Sequence, residues 1–124
     1  MAGIKSERKT KMEEGKLIDS TYAIFGRYLM VKMPAELDHH NATSLRIKTD
    51  EFIMDNKVDH VVFDFEDTAF MDSSGIGVLM GRYKKLSLFG GTVSAIHVKP
   101  RIRKIMEMSG VNSFVEIISE TGRK

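Results

Sequence analysis

Phe70-Met71-Asp72-Ser73-Ser74-Gly75-Ile76-Gly77-Val78-Leu79-Met80-Gly81-Arg82-Tyr83 follows a compact apolar run and opens an amphipathic one. Ile76, Leu79, Met80, Tyr83 and Leu86 recur at the spacing of one helical face. That spacing predicts a helix from Ser73 to about Phe89, stopped by Gly90-Gly91. The first amides of a helix lack backbone acceptors, and Asp72, Ser73 and Ser74 are residue types that cap them. Gly75, Gly77 and Gly81 then fall inside the helix, where each costs up to ~1 kcal/mol relative to alanine. Such a cluster implies that a small side chain is useful there. Either the sheet packs closely on one side, or a partner approaches the helix start on the other. A serine at this point carries its hydroxyl at the end of a strand, well placed for modification.

Working outward, Val61-Val62-Phe63-Asp64-Phe65 suits a central strand covered on both faces. Tyr22–Phe25 and Tyr28–Met33 flank Gly26-Arg27, a two-residue loop with glycine first, which predicts a type II′ hairpin. Asn41 to Asn56, with Leu45, Thr49, Phe52 and Ile53 near helical spacing, is the first long helix. Thr92 to His97 is a strand. Pro100 starts a short helix at the position where a missing N–H costs nothing, Ile102, Ile105 and Met106 line its inner face, and Gly110 ends it. Phe114 to Ile118 is the last strand. The order β-β-α-β-α-β-α-β predicts an α/β fold: a mixed β-sheet with an N-terminal antiparallel hairpin and helices packed on it. Residues 1–16 are polar and aperiodic and are expected to form a flexible arm. Residues 17–120 form the folded domain, and 121–124 a short tail.

The 124 residues suffice for one hydrophobic core. With no cysteine, disulfides, thiolate metal sites and cysteine nucleophiles are excluded. A net charge of +2 is too small to argue for a nucleic-acid surface. No apolar run reaches membrane-spanning length, and the charged start does not resemble a secretion signal, so a cytoplasmic location is expected. Arg101, Arg103 and Lys104 on the short helix read as a solvated face.

Enzymatic readings fare poorly. Gly75-x-Gly77 begins a dinucleotide fingerprint, but Met80 stands where the third glycine belongs. No phosphate-binding Gly-Lys-Ser/Thr sequence exists, and Ser73 lacks the glycine context of a hydrolase elbow. Asp38-His39-His40 contains metal-ligand types, but three adjacent ligands rarely converge on one ion. A polar segment capping the first helix, with Asn41 as another cap, is the simpler account. His60 and His97 fall in predicted strands and read as structural.

Two segments carry a family resemblance. Glu36-Leu37-Asp38-His39-His40 resembles the loop after the second strand in bacterial anti-sigma factor antagonists of the STAS family, and Phe70 through Tyr83 resembles their phosphorylation loop and the helix behind it. Met108-Ser109-Gly110 resembles the end of their final helix, and the likeness is greatest to the sporulation-type members. It runs from about Tyr22 to Ile118. One departure is Ala35, after Pro34, where the family usually carries glycine. The resemblance implies a STAS fold and a regulator of transcription by partner switching. The unmodified protein would bind an anti-sigma factor that is also a serine kinase, and so free a sigma factor. Phosphorylation at Ser73 would end the binding, and a serine phosphatase would restore it. The resemblance further implies a docking surface of Glu36, Asp38, His39, His40, Asp72, Ser74, Gly75 and Gly77 around Ser73. It implies no catalysis and no cofactor of the chain's own, since ATP belongs to the kinase. The alternatives are a STAS scaffold or sensor that is never phosphorylated, and a small hydrolase using Ser73 or a His39/His40 metal site.

Overall fold

A computed structural model describes residues 15–119. The expected tail over 121–124, and the expected arm up to residue 14, lie outside the described residues. The elements in order are β1 (Lys16–Leu17), β2 (Tyr22–Phe25), β3 (Tyr28–Lys32), β4 (Glu36–Leu37), α1 (His39–Asn56), β5 (His60–Asp64), β6 (Phe70–Met71), α2 (Ser73–Ser87), β7 (Thr92–Ile96), α3 (Pro100–Ser109), a 3-10 turn (Val111–Ser113) and β8 (Glu116–Ile117). The predicted helices and long strands are all present, with ends displaced by one or two residues. Lys16, assigned to the arm by the sequence reading, instead pairs with Ile24 in the short edge strand β1.

The main sheet has the order β1-β2-β3-β5-β7-β8. Its first three strands are antiparallel, and β3, β5, β7 and β8 run parallel. Phe25 pairs with Tyr28 across Gly26-Arg27. Gly26 has φ +62° while Arg27 keeps a negative φ, the combination of the expected type II′ turn.

Side chains alternate along the central strands. Leu29, Val31, Val61, Phe63, Val93 and Ala95 are buried and join α1, α2 and α3 in one core. The intervening Met30, Val62, Asp64, Ser94 and Ile96 are only half-buried. The expected cover on both faces of β5 is therefore corrected: one face is sealed and the other is half open. The half-open face carries polar cross-strand pairs instead. Tyr28 stacks on His60 at 4.5 Å, and the His60 and Thr92 side chains meet at 2.7 Å. His97 lies just past β7 and bonds Asp64 at 2.9 Å.

A second, smaller sheet joins β4 to β6 in parallel. The sequence reading contains neither strand, and this pair positions the site.

Candidate phosphoacceptor and docking site

Glu36 pairs with Phe70 and Leu37 with Met71. Leu37 and Met71 turn into the core, while Glu36 and Phe70 stay exposed. The Ala35 carbonyl accepts from the amides of Ala69 (2.8 Å) and Phe70 (3.2 Å), and the Leu37 carbonyl from that of Asp72 (3.2 Å). Ala35 does not have a positive φ, so alanine is unstrained where the family usually carries glycine. Just upstream, the buried Thr68 donates its hydroxyl to the Pro34 carbonyl at 2.8 Å and ties the two approaches together.

Each short strand runs into an aspartate and then a helix. Asp38 and Asp72 both have extended backbones, with φ −122° and −108°. The Asp38 carboxylate accepts from the amides of His40 (3.0 Å) and Asn41 (3.3 Å), and Asn41 Oδ1 accepts from the Asp38 amide at 3.1 Å. This reciprocal capping box moves the helix start from the predicted Asn41 back to His39. Asp72 accepts from the Ser74 amide at 2.8 Å and is the cap of α2, which leaves Ser73 as its first residue.

Ser73 is exposed, and among the described residues its hydroxyl has no hydrogen-bond partner. Of the other residues singled out from the sequence, Glu36, His39, His40 and Gly77 are exposed, and Asp38, Asp72 and Ser74 are half-buried. Gly75 is different. It is buried, and a Cβ there would stand 2.5 Å from Met71 Cγ and 2.8 Å from Leu37 Cδ2. Its place in the docking set is therefore corrected: it lets α2 close onto β4 and β6. At Gly77 an added Cβ would meet nothing within 4 Å, so that position opens to solvent.

Glu36, Asp38 and Asp72 take part in no salt bridge among the described residues. The Asp38 carboxylate is engaged by backbone amides, which weighs against a metal site at Asp38-His39-His40. Potential ligands converge elsewhere, at Asp64, Glu66 and His97. There Lys32 already lies 3.5–3.9 Å from the carboxylates of Asp64, Glu66 and Asp67.

Sequence reasoning assigned no role to Phe70 or Thr68. Phe70 is an aromatic ring 47% exposed at the edge of the site. Its signal lay only in its place two residues before the Asp72 helix cap. Thr68 offered none, because its partner is a carbonyl distant in sequence.

Three comparisons with known proteins agree with this architecture. The profile of the STAS domain matches residues 3–123. A protein of Paenibacillus polymyxa named anti-sigma F factor antagonist is 37% identical over 89 residues, covering 72% of this chain and 76% of that protein. The solved structure of the anti-sigma factor antagonist SpoIIAA in its unphosphorylated form superposes with a TM-score of 0.60 at 26% identity, over 76% of this chain and 80% of that one. The Bacillus cell-fate determinant SpoIIAA in its phosphorylated form gives 0.63 at 26% identity, over 86% and 91%. No helix among the described residues is long and apolar enough to cross a membrane. A small α/β sheet domain with a free serine at a capped helix start, matched along nearly its whole length by that profile, belongs to the STAS domain family, among relatives named as anti-sigma factor antagonists.

Proposed function

We propose that this chain binds an anti-sigma factor through the surface around Ser73, and that phosphorylation of Ser73 ends the binding. The observation that carries the reading is the Ser73 hydroxyl: exposed, unpartnered, and the first residue of a rigidly capped helix. The anti-sigma factor is itself the serine kinase, a phosphatase reverses its action, and the chain performs no catalysis.

The charge balance supports release. For transfer, a kinase brings the terminal phosphoryl group of its ATP to within roughly 3–3.5 Å of Ser73 Oγ. The hydroxyl proton leaves to the kinase's base and ADP departs. The phosphoserine carries about −1.5 to −2 charges and now faces the partner's nucleotide site, with Glu36, Asp38 and Asp72 behind it. Like charge at an interface costs several kcal/mol. Even ~3 kcal/mol lowers affinity more than a hundredfold.

The test is incubation of the purified chain with the kinase and ATP, then mass analysis and binding titration. Phosphate is expected on Ser73, with affinity down at least a hundredfold. Ser73→Ala is expected to bind and to resist modification, and Ser73→Asp to bind less tightly. If the kinase leaves Ser73 bare, the chain is a scaffold rather than a switch. Tight binding by the phosphorylated form would refute the charge argument.

A further inference from the structure

The pairing of β4 with β6 has a consequence one step beyond the strands. Glu36 lies opposite Phe70 and Leu37 opposite Met71, so Asp38 and Asp72 follow as neighbours, and after them His39 and Ser73. Both aspartates are helix caps of the same extended geometry, so His39 and Ser73 are the first residues of two helices launched side by side. Adjacent strands stand about 4.8 Å apart. His39 and Ser73 are both exposed. His40 is one residue further along α1, turned about 100° around the axis from His39.

We propose that His39 is the positioning residue of the phosphorylated state, its imidazolium held toward the phosphate on Ser73. The proposal rests on the phosphorylation reading above and adds the group that receives the phosphate. The other charged groups there are Glu36 on β4, Asp38 and His40 in the first turn of α1, and Asp72 at the start of α2. The α3 helix packs on β6 and carries the exposed Arg101 and Lys104. Of these, His39 alone is the first residue of the helix that follows β4, as Ser73 is of the helix that follows β6, and an imidazole can take up a proton and its charge. The phosphate's second proton and the imidazolium's proton are therefore coupled. A protonated His39 ring draws the phosphate toward α1.

The test needs no kinase. Phosphoserine is installed at position 73 during translation, and each histidine is titrated by NMR with and without it. At a separation of roughly 6 Å in a mostly aqueous setting, one unit of charge shifts a titration by about half a unit. The His39 midpoint is expected to rise by about that much, and those of His60 and His97 to stay where they are. In His39→Gln the phosphorus titration of residue 73 is expected to move up by a similar amount. His39→Lys, a permanent cation, is expected to keep it low, while His40→Gln leaves it unchanged. An unmoved His39 midpoint, or a larger shift at His40, overturns the proposal. If the installed phosphate shifts His39 yet leaves anti-sigma binding intact, this inference stands and the switch reading fails.

Discussion

Gly75 and Gly77 sit two positions apart on one helix and do opposite things. Gly75 is a contact: its missing Cβ is the space that Leu37 and Met71 occupy. Gly75→Ala must push those side chains aside, which is expected to lower stability by ~1–3 kcal/mol in chemical denaturation. A Cβ at Gly77 would meet nothing within 4 Å. The lack of a side chain there weakens the helix, so Gly77→Ala is expected to raise stability by up to ~1 kcal/mol. The same substitution is expected to weaken anti-sigma binding, because a methyl group then stands in the proposed docking surface. Unchanged affinity would remove Gly77 from that surface. The sequence marked both glycines as unusual, but only the geometry separates the buried one from the open one.

At the scale of elements, the long helices and the hairpin were legible because each carries a period and a stop. The α2 helix has its apolar spacing and its Asp72 cap, and the hairpin its Gly26-Arg27 turn. The strands β4 and β6 were not legible. Two residues have no period, and these strands exist only because each pairs with the other. For that reason the sequence named both halves of the site but could not say how they join. Arg82 was also illegible. It lies in α2 at 5% exposure, facing α1, where its Nε meets Asp50 Oδ1 at 3.0 Å. Burial pulls its pKa down, while Asp50 acts against that. The pair lacks hydrogen-bond alignment, and Arg82 Nη1 is buried without an acceptor. The link is therefore costly to break from one side and easy to replace. Asp50→Ala strands the buried cation and is expected to cost ~3–5 kcal/mol. Adding Arg82→Met is expected to recover most of that loss, measured by denaturant melts of the single and double variants. A double variant no more stable than Asp50→Ala would show that the ion pair itself holds α1 to α2.

For the molecule over its described residues, a hydrophobic core joins the sheet to α1, α2 and α3, and the site lies at its rim. The core has an alkaline limit. Burial, with Asp19 and Glu51 adding, pushes the Tyr22 hydroxyl from 10.0 up to about 12. A raised pKa favours the protonated form in the folded state. The contribution is full below pH 10 and is lost as the pH climbs toward about 12. Melts across that range are expected to show a decline that Tyr22→Phe flattens. The phosphorylation proposed at Ser73 is the opposite extreme, a local change. Ser73 is exposed at a helix N-terminus, where free amides and the helix dipole favour an anion by up to ~1 kcal/mol. Asp38 and Asp72 oppose it with a repulsion of similar size, screened by solvent. The net change in folding stability on phosphorylation is therefore expected to stay below ~1 kcal/mol. Amide spectra are expected to change only around β4, the first turn of α1, β6 and the first turn of α2, while β5 and β7 keep their positions. A switch of this kind works by altering what the surface can meet, with the fold unchanged on either side. Shifts spreading through β5 and β7 would instead mean that the phosphate acts by refolding the sheet.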